Sequence, residues 1–354
     1  MRKRSQWAGA LLSTALAAAL IGQLTGFTAA DGEANGTIWV ANRIPAGDAA
    51  DTIRAFDVRT GDVKLQIPVN TGAQPGDLAV AKGKVYVAEE RGSAPAVAIF
   101  DAVTGDLVTR IHTGVGSRPH HVHASAGGNM VAVGLFGTDD VIVIDTHDDT
   151  TLGRWDTNPA NETGRIHAAV FSNDESAIYL ANEAGNEVIA MDPRTGGVFW
   201  RLGVPAVHEL AVSHNQKLLY VSRRGANWLA AIHLDEDVWV KPEKYDDILE
   251  LGLPDTLRLS ANEHLLTVGL RTSPARMAVV DTRTLGVTLV LLDPGGAAGT
   301  IAGHQWTAPS GHYTWASFEG PNAGVVLIDH TNDNRLVKTL RYPGQPHGVD
   351  HSHP

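Results

Sequence analysis

The chain has 354 residues, with 28 Lys and Arg against 39 Asp and Glu for a formal net charge of −11, and it contains no cysteine. With no basic cluster beyond the first few residues it lacks the face that phosphate binding needs, which excludes nucleic acid as a partner. Without cysteine there are no disulfides, thiolate nucleophiles or Cys-ligated metal sites, so the fold must be held by its core alone.

The first thirty residues stand apart. Arg2, Lys3 and Arg4 are basic, Ser5 to Ala30 is uncharged, and Thr28-Ala29-Ala30 offers small residues just before Asp31. This reads as a secretory signal peptide over 1–30, which predicts an exported protein, periplasmic, cell-surface or extracellular, with a single domain over 31–354. An uncleaved signal anchor is the alternative, and no later segment is long and apolar enough to span a membrane.

Thr37 to Asn42 then begins a series of short β-rich runs, with close copies at Lys84–Ala88, Ala177–Asn182 and Leu218–Ser222. A second run that ends in an acidic residue recurs at Ile53–Asp57, Val97–Asp101, Val141–Asp145, Val188–Asp192, Met277–Asp281 and Val325–Asp329, while the copy at Ala230–His233 has lost the aspartate. From Asp57 to Asp329 the register advances 329 − 57 = 272 residues over six steps, about 45 per repeat, the spacing of a propeller blade. Asp57-Val58-Arg59-Thr60-Gly61 and its copies at Asp101 and Asp192 predict hairpin turns, with Asp accepting a backbone hydrogen bond and Gly taking positive φ. Val238 to Asp247 is a charged, proline-containing insertion, read as a surface loop between blades.

One frame organises the rest. Counting back five from the serine of Arg118-Pro119-His120-His121-Val122-His123-Ala124-Ser125 reaches His120, and the same count reaches His167, His208 and His347. His304 precedes Pro309 by five, while Asp255 and Gly76 fill the remaining two slots. These runs predict the inner strands of an all-β, seven-bladed β-propeller of four-stranded blades. The last inner strand, Pro346 to His353, lacks partners of its own, so Thr37–Asn42, Ile53–Asp57 and Val63–Ile67 are expected to complete its blade and hide the two open edges.

The runs Val85-Tyr86-Val87-Ala88 and Ile178-Tyr179-Leu180-Ala181-Asn182, each followed by a Val-rich strand and a Thr-Gly turn, resemble the YVTN family of β-propeller repeats. That resemblance implies the fold and leaves activity open. The histidine column resembles the propeller of nitrous oxide reductase, in which channel-facing histidines hold a copper cluster. The lack of cysteines and the presence of Gly76 and Asp255 in the column depart from that pattern, so the enzyme's reaction is not carried over.

Since inner strands line a propeller's axis, the column predicts a metal site at the channel mouth from His120, His167, His208, His304, His347 and Asp255, with His121, Glu209 and Asp77 one residue further along. Imidazole and carboxylate without thiolate suits Cu(II), Zn(II), Ni(II) or Fe(II), with copper first by intrinsic affinity and zinc or iron as alternatives. A redox role is among the expectations for such a site. Two other functions compete. One is metal-assisted chemistry of the propeller lactonase or lyase type, with His208 as base and Glu209 as its orienting acid; the other is a non-catalytic scaffold that binds a protein partner on one face. His347-Gly348-Val349-Asp350-His351-Ser352-His353 is weighed both as a metal-capture tail and as the buried closing strand.

Overall fold

Apolar residues, many of them β-branched or aromatic, dominate the second and third run of every repeat, as strands covered on both faces require. The computed structural model describes residues 36–43, 52–70, 72–157, 164–341 and 344–352. The expected signal segment and His353 lie outside the described residues. Among those described, 28 strands form seven four-stranded antiparallel sheets arranged as a β-propeller. Blades are numbered here by their inner strands: Pro75–Ala81, Pro119–Ala124, Ile166–Phe171, Val207–Val212, Pro254–Leu259, Ile301–Thr307 and Gln345–Ser352.

The serine of the repeating frame has a local task. Ser125, Ser172, Ser213 and Ser260 each accept a hydrogen bond through Oγ from the first residues of the next strand, at 3.1, 2.9, 2.9 and 3.1 Å from the nitrogens of Met130, Ala177, Leu218 and Leu265. The acidic turns form as expected. Asp101 Oδ1 accepts from the amides of Val103 and Thr104, both at 2.8 Å, and Gly105 closes the turn at φ +77°.

Packing between blades is apolar and continuous, and each cluster joins side chains of adjacent sheets, as Trp39, Ile53 and Ala55 join Val85, Val87 and Ala98. Blade 7 is closed by both ends of the chain: Thr37–Arg43 lies between Gln345–Ser352 and Thr52–Asp57, with Val63–Pro68 outermost. In this clasp Ile38 pairs with His351 and Val40 with Val349, and Trp39 Nε1 donates to Ser352 Oγ at 3.1 Å. Closure by the two ends places His347 on the axis with the other column residues.

One expectation needs correcting. The insertion after His233 lies within blade 4, between its third and fourth strands, and not between blades. Its last residues, Tyr245, Asp246 and Asp247, are already part of the fourth strand, Tyr245–Glu250, because pairing with Trp228–His233 continues through them.

Candidate functional site

Strand alternation alone would send neighbouring residues to opposite faces. Here a β-bulge interrupts the pairing of the first and second strands at the column slot of every blade: between Pro75 and Leu78, Pro119 and Val122, Ile166 and Ala168, Val207 and Glu209, Pro254 and Leu257, Ala302 and Gln305, and opposite Pro346–Val349. A bulge leaves two residues facing one partner and re-aims a side chain. His120 and His121 therefore both reach the axis, although they are consecutive.

His120, His121, His167, His208, His304 and His347 all line one cavity of about 190 Å³, together with Asp255 and Thr256. Adjacent rings stand 4.9 Å (His120–His167), 4.5 Å (His121–His167), 3.6 Å (His167–His208), 4.6 Å (His121–His304) and 4.5 Å (His304–His347) apart between centroids. One nitrogen from each of His120, His121 and His167 lies within 4.8 Å of the others, and Asp77, His121 and His304 form a second such group. A tetrahedral Zn–N site needs about 3.3 Å between ligand nitrogens, from bonds of about 2.0–2.1 Å, so modest rotations would close the first group on one ion. Gly76 carries no ligand, and its place in the ring is taken by Asp77.

A carboxylate stands behind most of these rings. Asp77 bridges His121 Nδ1 at 3.2 Å and His304 Nδ1 at 3.1 Å, and Glu319 bonds His347 Nδ1. Glu90 Oε2 lies 3.4 Å from His120 Nδ1, at the long limit of a hydrogen bond. Such backing fixes the tautomer and turns Nε2 toward a ligand, the arrangement usual behind metal-binding histidines. His167 has no such partner, and its Nδ1 is buried without a hydrogen bond.

Electrostatics separates His208 from the rest. Burial holds His121, His167 and His347 well below the usual histidine range, reinforced by neighbouring His304, His208 and Arg43 respectively. His120 is lowered too, by burial that Glu90 only partly offsets. These four are neutral at pH 7 and have lone pairs to give. Burial also disfavours a charge on His208, but its hydrogen bonds to Asp255 and Glu183 outweigh this and raise its pKa.

The candidates read from the sequence are thus redistributed. Asp255 is not a free ligand: His208 Nε2 lies 2.7 Å from it, Arg224 Nη1 2.8 Å and Arg271 Nε 3.7 Å. His208 is held against Asp255 and Glu183, and takes no part in either ligand group. Nor does Glu209 orient His208. The bulge sends the two apart, and Glu209 Oε2 instead lies 3.1 Å from His121 Nε2, out of line for a hydrogen bond. Burial pushes the Glu209 carboxyl up to about 7. His351 stacks on Trp306 at 4.4 Å between centroids, away from the cavity, so the closing strand contributes only His347.

A second column was missed. The residues at the channel end of each second strand are Arg43, Glu90, Phe136, Glu183, Arg224, Arg271 and Glu319, and they supply the carboxylates and guanidiniums around the imidazoles. Their signal was the one or two residues after each Tyr-Val-Ala-like run, where Glu183 follows its motif copy directly and Glu90 and Arg224 come two residues after theirs.

Fold and site together define a seven-bladed propeller with an imidazole-rich channel mouth. In sequence, residues 111–284 match the family described as lactonase, 7-bladed beta-propeller. No curated protein matches the chain significantly. Among solved structures it is similar to the periplasmic gluconolactonase PpgL of Pseudomonas aeruginosa, at 15% identity over 90% of this chain and 99% of that one, with a TM-score of 0.68. It is also similar to a hypothetical selenium-binding protein from Sulfolobus tokodaii (12% identity, 90% and 94% covered, TM-score 0.71) and to a protein from Lactobacillus plantarum (14%, 90% and 99%, 0.70). At these identities the likeness is one of fold.

Proposed function

We propose that this is an exported propeller that binds one divalent first-row transition ion, Cu(II) or Zn(II), at its channel mouth through His120, His121 and His167, with His304 and His347 completing the wall. The observation that carries this reading is the gathering of neutral, buried imidazoles whose nitrogens approach within 4.8 Å in the first group. Leaving the Nδ1 of His167 and the Nε2 of His121 unpaired inside the protein is costly unless a ligand meets them. Metal analysis of untagged protein and titration with Cu(II) and Zn(II) test it: about one ion per chain is expected. Binding no tighter than that of a protein with only surface histidines would sink it.

A second reading, metal-assisted opening of a lactone, is favoured by the match of residues 111–284 to the lactonase propeller family and by the likeness to a gluconolactonase. In it the ion would polarise the ring carbonyl and activate the attacking water. Acid release from gluconolactone that exceeds background and disappears in His167→Ala is the expected result. Wild-type protein that holds metal but gives no excess acid leaves the binding function alone. Export is supported by the leader-like residues 1–30, and amino-terminal sequencing of protein from a fractionated host tests it. Among the described residues no helix is long and apolar enough to cross a membrane.

A further inference from the structure

The cavity that gathers the imidazoles is also walled by guanidinium groups, and these work against a lone cation. Arg43, Arg224 and Arg271 line it, while Arg118 and Arg165 stand 4.9 and 5.5 Å over the ring of Phe136 at its edge. This concentration of fixed positive charge occurs in a chain of net charge −11.

Two of the carboxylates that balance the arginines, Glu90 and Asp255, are more deeply buried than the guanidiniums, while Glu183, paired with Arg224, is 25% exposed. Side-chain exposure is 20% for Arg43, 35% for Arg224 and 28% for Arg271, against 2% for Glu90 and 5% for Asp255. Arg43 commits Nη2 to Glu90 at 3.0 Å and Nε to the Pro75 carbonyl at 3.3 Å. Arg271 reaches the Ala302 carbonyl through Nη1 at 3.4 Å. A guanidinium has five N–H donors, so each of these retains donors on the side that lines the cavity. Among the described residues the cavity wall presents three guanidiniums and one carboxylate, Asp255. The groups are also held in place from behind, as pre-organised anion sites are.

Resting on the metal reading above, we infer that the ion is bound together with a small oxyanion, a carboxylate- or phosphate-bearing molecule gripped by Arg43, Arg224 and Arg271. A divalent ion held by three imidazoles keeps a coordination position open beside the three guanidiniums that line the cavity. An oxyanion between them satisfies both: one oxygen enters the open coordination position left by three histidines, and the remaining oxygens accept from the arginine forks. A cavity of about 190 Å³ restricts the partner to a few heavy atoms beyond the oxyanion itself.

Isothermal titration of the untagged protein with malonate and with methylphosphonate, before and after loading with Zn(II), tests this. The loaded protein is expected to bind one of them about tenfold more tightly than chelator-treated protein, and the preferred probe names the oxyanion class. Arg271→Met and Arg43→Gln should each weaken that binding about tenfold while Zn(II) stoichiometry stays at the wild-type value, and Arg271→Lys should recover part of it. Thermal melts identify any variant that fails to fold. Equal or absent anion binding in loaded and metal-free protein, unchanged by either substitution, overturns the inference. If Zn(II) does not bind but malonate or methylphosphonate still does, in an Arg271-dependent way, the metal reading falls and the arginine site is supported by itself.

Discussion

Each column histidine takes its role from the group behind it. Carboxylates pair with Nδ1 of His121, His304 and His347, whereas Asp255 and Glu183 clamp His208 and raise its pKa. His167→Ala is therefore expected to lower Zn(II) or Cu(II) affinity by about 100-fold or more, roughly 2.7 kcal/mol, in competition with a chromophoric chelator. His208→Ala should lower it by less than about tenfold, in keeping with an outer-layer position. A second residue-scale effect concerns Asp350, whose carboxyl burial pushes up to about 6 although it accepts a hydrogen bond from Val80 N at 2.7 Å. With its pKa raised on folding, the native state holds this proton more tightly than the unfolded chain. The stability it contributes is present at low pH and is lost as pH rises toward about 6. Asp350→Asn keeps an acceptor for Val80 and should remove that loss, raising stability at pH 8 by up to about 3 kcal/mol with little change at pH 4, as read by urea unfolding at the two pH values.

The bulge is the element on which the site depends, since it turns two consecutive residues of one strand toward the axis. Where the second of these is His121, Glu209 or Asp77 it brings a polar group; in blade 7 it is Gly348. A Cβ there would lie 2.5 Å from Asp77 Oδ1 and 2.7 Å from Asp77 Cα. Gly348→Ala must push aside the carboxylate that aligns both His121 and His304. A cost of about 1–3 kcal/mol is expected, with metal affinity falling more than stability alone explains, checked by pairing a denaturant series with a metal titration. The clasp is the other element under strong constraint. Trp39 is fully buried between blades 7 and 1, and Trp39→Ala should cost about 3–5 kcal/mol in urea unfolding while leaving the cavity residues in place.

For the whole molecule, closure of the ring by its two chain ends means that seven separate inner strands meet at one axis only when the fold is complete. The site cannot pre-exist in the unfolded chain, so a metal that binds it stabilises the fold through mass action. At a free ion concentration about 100 times Kd the gain is about 2.7 kcal/mol, which corresponds to a Tm rise of roughly 4 °C for a domain of this size. Calorimetry with and without a chelator checks this, and an unchanged Tm under saturating metal would contradict a site in the native channel.

Much of this was written into the chain as repetition. The 45-residue advance of the Asp turns, the serine that caps four of the first hairpins and the histidine that fills five of the seven column slots are local patterns, and they determined the blade count, the strand order and the height of the imidazoles. Local patterns could not say which nitrogen of each ring would be free, that Asp255 would spend its charge on His208 and two arginines, or that Glu209 would face His121. Those outcomes depend on contacts between different strands, most of them in different blades, and on a bulge that breaks the alternation by which a strand's sequence ordinarily reveals its faces. Only the closed ring brings the ends of the second strands over the first, and so decides which imidazoles stay neutral and what charge a visitor to the channel meets.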